Sequence, residues 1–264
     1  MSSFFLYPVL GCFAGLIAGL FGVGGGMVIV PVLVFTFTAM HFSPAVLTHL
    51  AIGTSLATII VTSLSAIHAH HGRGAVEWVA FRGLAPGLLP GAFAGAHIAR
   101  LIPGRELQIL IGGFALLVAL QFFTGWKGRF TDRPLPGAPG LGVSGSLIGT
   151  ASAVVGIGGG TFTVPFLTWH GIPMARAVAT ASACGLPIAL AGAFGFVTAG
   201  HNLNGLPEGA WGLVYWPAFA GIAATSLVFA RIGAKLAHYL PANVLRKLFA
   251  GLLTLVGLSF LHGG

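Results

Sequence analysis

The sequence predicts an all-α polytopic membrane protein built from two inverted-topology repeats. Each repeat combines a glycine-broken re-entrant or hairpin segment with three transmembrane helices. Three observations predict this fold. Hydrophobic residues make up 56% of the 264 and charged residues only 6%, whereas a soluble domain carries about 25% charged residues. A glycine run at 22–26 recurs at 156–160, and the positions of the basic residues favour a topology that puts most of them on one side of the membrane.

The two glycine runs lie in apolar sequence and are followed at the same spacing by Pro31 and Pro165. Four glycines in five residues unwind a helix, because each glycine costs about 1 kcal/mol relative to alanine. Lipid cannot satisfy free N–H and C=O groups, so such a break survives only where protein buries it or it lines a cavity. Paired breaks in the two halves of a membrane protein indicate its binding site.

The remaining elements follow from the apolar stretches. Residues 4–40 are one such stretch, divided by the first glycine run into two parts that are short for a membrane crossing. Residues 124–140 are the most polar part and form a linker, so the repeats occupy 1–123 and 141–264. The second broken segment is predicted at 141–169, and the spans at 44–69, 78–101, 106–123, 174–199, 210–238 and 243–262.

The duplication extends beyond the glycine runs. Gly11 and Gly15 match Gly145 and Gly149 in the same register as the runs. At the other end of each half, residues 95–122 align without gaps to 233–260, which pairs, for example, Pro103 with Pro241. The repeat therefore covers whole halves of the chain.

The positions of the basic residues favour an inverted arrangement. If each broken segment enters and leaves on one side, ten lysines and arginines share a side and only Arg100 and Arg105 lie opposite. If the broken segments cross once, the division is about seven to five. Cytoplasmic loops are rich in Lys and Arg, so we expect the linker inside, both termini outside, and the chain in the cytoplasmic (inner) membrane. Since these residues are dispersed along loops, the net charge of +8 does not indicate a nucleic-acid partner.

Two apolar halves, each with Gly-x-Gly-Gly-Gly-x4-Pro followed by Ala51-Ile52-Gly53-Thr54-Ser55 or Ala177-Val178-Ala179-Thr180, resemble the sulfite exporter TauE/SafE family of permeases. The resemblance covers nearly the full chain. It implies transport of small sulfur-containing anions such as sulfite, sulfoacetate and other organosulfonates. The second half reads Thr180-Ala181-Ser182 and so departs from the family's usual Ala-Thr-Ser.

The glycine breaks also suggest how an anion could be held. Short helices beginning at Met27 and Thr161 would present free N–H groups and a positive dipole end, which bind an anion without a charged side chain. Alternatively, the glycines only pack helices, and the nearby hydroxyls bond to their own helix carbonyls. The predicted substrate-binding residues, which would meet at one point near the midplane, are Gly24, Gly25, Gly26, Thr54, Ser55, Gly158, Gly159, Gly160, Thr180 and Ser182.

The titratable residues restrict the function further. All four acidic residues fall in predicted loops or at span ends, which disfavours a cation site inside the membrane. His41, His49 and His170 lie near the broken segments and could couple transport to protons, although interfacial or packed histidines fit the same positions. The sequence has no Ser/His/Asp set, metal-ligand cluster or phosphate-binding loop, so it predicts no enzyme activity, metal site or cofactor.

These observations together predict a secondary transporter for small anions in the lipid bilayer. A passive anion channel and a non-transporting membrane scaffold are the alternatives. Glycines four residues apart, as at Gly91 and Gly95, are typical of close helix packing. Packing within the subunit explains them most simply, and a homodimer face is the other use.

Overall fold

The computed structural model describes residues 8–9, 11–12, 15–16, 26–71, 75–124, 134–203, 205–239 and 242–262. Residues 8–9, 11–12 and 15–16 have helical backbone. The longer elements in the described ranges are the helices α1 Gly26–Ala39, α2 Pro44–His71, α3 Trp78–Leu101, α4 Gly104–Thr124, α5 Ala138–Val155, α6 Gly160–Trp169, α7 Met174–Gly200, α8 Trp216–Tyr239 and α9 Ala242–His262, and the strands β1 Ala210–Trp211 and β2 Val214–Tyr215.

Four helices among the described residues are long and apolar enough to cross a membrane. They are the Pro44–Leu64 part of α2, and α4, α5 and α7 over their full lengths. Shorter apolar helices, including α1, add to these. The chain is therefore a helical, multi-pass membrane protein, as its composition predicts. Much of the linker predicted at 124–140 lies outside the described residues, and α5 already begins at Ala138.

One predicted span starts too early. The span expected at 210–238 begins as helix only at Trp216, because residues 210–215 form an antiparallel hairpin in which Ala210 pairs with Tyr215. The hairpin has a two-residue loop, and such loops favour a positive φ at their first residue. Gly212 meets this requirement with a φ of 53°. Sequence composition misses this turn because residues 210–215 are themselves as apolar as the span that follows them.

The helices α2 and α7 pack against each other in opposite directions along most of their length. A Cβ placed on Gly53 would lie 3.0 Å from Phe196 Cβ, and one on Gly192 would lie 2.9 Å from Leu56 Cδ1. Farther along α2, Ser63 Oγ lies 2.9 Å from the position of a Cβ on Gly185. Along this interface, residue numbers increase on α2 while the numbers of the facing residues on α7 decrease. The two helices are therefore antiparallel.

A second interface joins α3 to α5, with glycines at the contact. A Cβ on Gly91 would lie 2.7 Å from Ser146 Cα, and one on Gly95 would lie 2.9 Å from Thr150 Cα. The two helices run parallel, since both residue numbers rise together. Glycines four residues apart allow this close approach of two backbones. They pack within the subunit, as the simpler reading of the sequence expects.

The same contact recurs between the N-terminal segment and α8. A Cβ on Gly11 would lie 2.8 Å from Ile222 Cα, and one on Gly15 would lie 2.6 Å from Ser226 Cα. Gly11 and Gly15 are the sequence counterparts of Gly145 and Gly149, which contact Leu84 and Leu88 of α3. In the register that pairs 95–122 with 233–260, Leu84 and Leu88 match Ile222 and Ser226. Each glycine-broken segment therefore packs against the third helix of the other half.

The last helix of each half completes the packing. A Cβ on Gly112 of α4 would lie 2.9 Å from Phe260 Cβ of α9, and Gly257 of α9 contacts Leu116. The Arg105 guanidinium donates hydrogen bonds of 2.8 Å to the carbonyl oxygens of Phe260 and Leu261. Since the start of α4 faces the end of α9, these two helices are also antiparallel.

Candidate functional site

The second glycine run breaks the helix, as the sequence predicts. The helix α5 ends where Gly156 adopts a left-handed φ of 74°, and Ile157 N–H donates a 2.9 Å hydrogen bond back to Ser152 O. Four residues later α6 begins, and Thr163 N–H donates to Gly159 O at 2.8 Å. The N–H groups that precede this bond in the first turn have no partner within the helix. In the first run, Gly24 and Gly25 lie outside the described residues, while Gly26 is the first residue of α1.

The break is buried between α2 and α7. Gly158 faces Ile59 of α2, at 3.4 Å from a Cβ position to Ile59 Cγ2. A Cβ on Gly159 would lie 3.1 Å from Ala181 O and 3.2 Å from Gly185 N of α7. The first half also reaches this point, since a Cβ on Gly26 would lie 2.8 Å from Gly156 O. The structure thus brings Gly26, the last residue of the first run, against the second break.

Unpartnered hydroxyl groups flank this break. Within the described residues, the hydroxyls of Ser152, Thr161 and Thr163 are buried and make no hydrogen bond. Ser152 lies in the last turn of α5, and the two threonines lie at the start of α6. Thr163 is fully buried, and helical side chains point back toward the N-terminus of their helix. The Thr163 side chain is therefore expected to lean toward the first turn of α6, where the free N–H groups are. Hydroxyl donors, free N–H groups and a helix dipole form a neutral site that favours an anion.

The hydroxyls that the sequence selects have other partners. Thr54 Oγ1 accepts a 2.9 Å hydrogen bond from Tyr215 N–H, and Ser55 Oγ donates to Gly156 O at 3.0 Å. In the second half, Thr180 Oγ1 donates to Arg176 O at 2.7 Å and accepts from Glu77 N–H at 2.8 Å. Ser182 Oγ donates to Val178 O at 2.9 Å. For Thr180 and Ser182, bonding to the carbonyl of their own helix is what the structure contains.

The two threonines also lie far apart. In the antiparallel register of α2 and α7, Thr54 is level with residue 194, fourteen residues beyond Thr180. At 1.5 Å per residue, this separation is about 21 Å along the helices. One small anion cannot contact both side chains, so the expectation that they meet at a single point requires correction. The reason is that residue numbers rise along one helix and fall along the other in an antiparallel pair. Matched residues of α2 and α7 therefore face each other at one level only, and their separation grows with distance from that level.

The three candidate histidines lie away from the break. His49 Nε2 lies 3.1 Å from both Ala99 O and Ile102 O at the end of α3, so it donates its proton there. His170 Nδ1 lies 2.7 Å from Phe166 O. His41 is exposed in the turn after α1 and has a left-handed φ of 58°. The equivalent left-handed position after α6 is Gly171, with a φ of 80°, so His41 matches Gly171 rather than His170.

The fold and this site define a class of protein. In this multi-pass helical chain, the glycine-broken segment of each half packs against the other half. A buried helix break with free hydrogen-bond donors lies where the two halves meet. This is the architecture of a membrane transporter. The chain belongs to the sulfite exporter TauE/SafE family, whose model matches residues 7–260.

Curated relatives support the same class. The chain is 38% identical to a probable membrane transporter protein of Haemophilus influenzae, over 98% of both chains. It is 26% identical to the probable membrane transporter protein YunE of Bacillus subtilis, over 99% of this chain and 98% of that protein. A probable membrane transporter protein of Methanocaldococcus jannaschii is also 26% identical, over 97% of this chain and 94% of the relative. No solved structure matches the chain.

Proposed function

We propose that the chain is a secondary transporter for sulfite or small organosulfonate anions, and that it holds the anion at the start of α6. The observation that carries this proposal is the buried break at 156–159, with the free N–H groups of the next helix and unpartnered hydroxyls beside it. A sulfonate group has three acceptor oxygens and one negative charge. Donors arranged around a helix N-terminus satisfy both features.

A site made only of neutral donors fits the positions of the described basic residues. Arg176, which lies on α7, forms a 2.8 Å salt bridge with Glu77. It also lies nine residues, about 14 Å along the helix, from Gly185 at the break. Arg82 is exposed on α3. Such a neutral site can hold an anion through hydrogen bonds and the helix dipole without a buried positive side chain.

The proposal includes two inverted-topology repeats. In that arrangement, matched helices of the two halves run in opposite directions. The antiparallel pairs α2–α7 and α4–α9 support it, because each pair joins matched elements. The bonds of Thr54 to Tyr215 and of Thr180 to Glu77 support it too, since Glu77 and Tyr215 match in the register that pairs 95–122 with 233–260. We further propose the inner membrane as the location, with the linker inside and both termini outside.

Binding to purified full-length protein tests the site. We expect sulfite, sulfoacetate or isethionate to bind, and sulfate and taurine are measured beside them for comparison. Gly159→Val should abolish this binding, because even a Cβ would lie 3.1–3.2 Å from three atoms of α7. Gly113→Val is the matched control, since a Cβ on Gly113 meets nothing within 4 Å. If folded Gly159→Val protein binds the anion as the wild type does, the proposed site is wrong.

Transport assays separate the alternatives. A secondary transporter in proteoliposomes accumulates labelled sulfonate against its gradient when a coupling gradient is imposed. A passive anion channel only equilibrates the label, and a non-transporting scaffold leaves uptake at the level of empty liposomes. Either of these two results would contradict the proposed function.

A further inference from the structure

A buried serine of α2 lies at the point where three segments of the chain meet. Ser63 is 7% exposed, and its Oγ lies 2.9 Å from the position of a Cβ on Gly185 of α7. The same Cβ position lies 3.7 Å from Gly159 N in the break. Ser63 therefore faces α7 directly beside the glycine break, and its hydroxyl occupies space that any side chain at position 185 would remove.

The Ser63 hydroxyl differs from its neighbours along α2. Thr58 Oγ1 donates to Thr54 O at 2.6 Å, and Thr62 Oγ1 donates to Ile59 O at 3.2 Å. Ser63 makes no hydrogen bond to another residue that the structure describes, and its oxygen is not one of the fully enclosed, unpartnered hydroxyls, which are those of Ser152, Thr161 and Thr163. The Ser63 hydroxyl is therefore available to donate a hydrogen bond to a ligand or water beside the break.

Ser63 also lies close to the level at which matched residues of the two halves face each other. In the antiparallel register of α2 and α7, matched residues face each other near residues 61 and 187, two residues from Ser63 and Gly185. The counterpart of Ser63 in the second half is Ala189, which is fully buried and has no hydroxyl. A hydroxyl at this repeat position thus occurs in the first half alone, and the break that it faces belongs to the second half.

We propose that Ser63 contacts the transported anion and sets the preference of the site for oxyanions. The inference rests on the proposed function, because it places the anion at the start of α6. With the anion bound there, the Ser63 hydroxyl donates to one of its oxygens from the opposite wall. A monatomic anion such as chloride, held at the same N–H groups, has no further acceptor atom that could reach Ser63. Sites that hydrogen-bond a particular ligand atom discriminate strongly against ligands that lack it.

The test compares isethionate and chloride binding to full-length variants in detergent. A hydrogen bond to a charged ligand group contributes at least about tenfold in affinity. Ser63→Ala should therefore raise the Kd for isethionate about tenfold and leave the Kd for chloride nearly unchanged. Thr62→Ala is the matched control, because the Thr62 hydroxyl already bonds its own helix. We expect less than a twofold effect from it. Gly185→Ala should weaken isethionate binding without altering Ser63 itself, since its Cβ displaces the Ser63 hydroxyl.

The outcomes are distinguishable. If Gly159→Val abolishes binding but Ser63→Ala and Gly185→Ala both leave the isethionate Kd within twofold of the wild type, the role of Ser63 is refuted and the anion site stands. Equal weakening of chloride and isethionate binding by Ser63→Ala also refutes it, because the effect would then not be specific for oxyanions. If the wild type binds neither sulfite nor any sulfonate, the proposed function fails and this inference fails with it.

Discussion

Replacing Thr54 by valine tests whether this residue holds the two halves together or binds the anion. The Thr54 hydroxyl is fully buried and accepts a 2.9 Å hydrogen bond from Tyr215 N–H in the hairpin before α8. Valine has nearly the same shape but offers no acceptor. The substitution thus removes one hydrogen bond and adds no cavity, so its effect reports the bond alone.

The expected loss of stability follows from the burial of both partners. Removing the acceptor of a buried N–H lowers the free energy of unfolding by about 1–3 kcal/mol. In a chain of this size, 1 kcal/mol corresponds to roughly 2–4 °C in Tm. Thr180→Val should have a smaller effect, because the Glu77 side chain beside its bonded N–H is 25% exposed and water can replace the lost acceptor. Thermal unfolding of the purified variants in detergent measures both changes.

Anion binding by the same variants decides between the two roles. Thr54 is level with residue 194 of α7, about nine residues or 14 Å from Gly185, so we expect folded Thr54→Val protein to bind isethionate with unchanged affinity. Thr58→Val is a suitable control, since Thr58 bonds only to a carbonyl of its own helix. An unchanged Tm combined with a tenfold loss of affinity in Thr54→Val would refute the reasoning and make Thr54 a ligand, as its place in the sequence motif first indicates.

Further predictions concern packing, charge, protons and topology. Gly91→Leu should prevent stable folding, because a Cβ there would lie 2.7 Å from Ser146 Cα, whereas Gly113→Leu should elute normally in size-exclusion chromatography. Arg176→Gln breaks a half-exposed ion pair worth about 0–1 kcal/mol, so Tm should fall slightly and isethionate binding should persist; lost binding would make this arginine a ligand. Any pH dependence of uptake between about pH 5 and 8 should flatten when His41, His49 or His170 is replaced by Gln, and an unaltered profile in all three variants would exclude histidine coupling. A reporter fused after Gly264 should be active outside the cytoplasm, and activity confined to the cytoplasm would reverse the proposed orientation.

The sequence by itself determines the membrane environment, the order of most helices and the position of the second break. These properties depend on local chemistry. A long apolar stretch must form a helix in lipid, because its backbone has no other hydrogen-bond partners there. Glycine unwinds a helix through its own backbone freedom and needs no distant contact. The predicted spans at 78–101 and 174–199 accordingly agree with α3 and α7 to within one residue.

The hairpin before α8 and the partners of the hydroxyls depend on tertiary structure. The apolar residues at 210–215 are compatible with a span, and only their contact with α7, where a Cβ on Gly212 would lie 2.7 Å from Val197 Cα, favours a tight turn with glycine at this position. Likewise, periodicity places Thr54, Thr58 and Ser63 on α2 but does not say which of them faces a backbone N–H, a carbonyl or the break.

The relative position of α2 and α7 decides which residues form the candidate site. That register depends on where small residues let the two helices approach, as at Gly53 against Phe196 and at Gly185 against Ser63. It moves Thr54 and Thr180 to different ends of the helix pair and brings Ser63 beside Gly159. The sequence motif could select the glycines because their effect on the backbone is local. It could not select Ser63, because the surroundings of a serine in an apolar helix are decided only when the second helix packs against it.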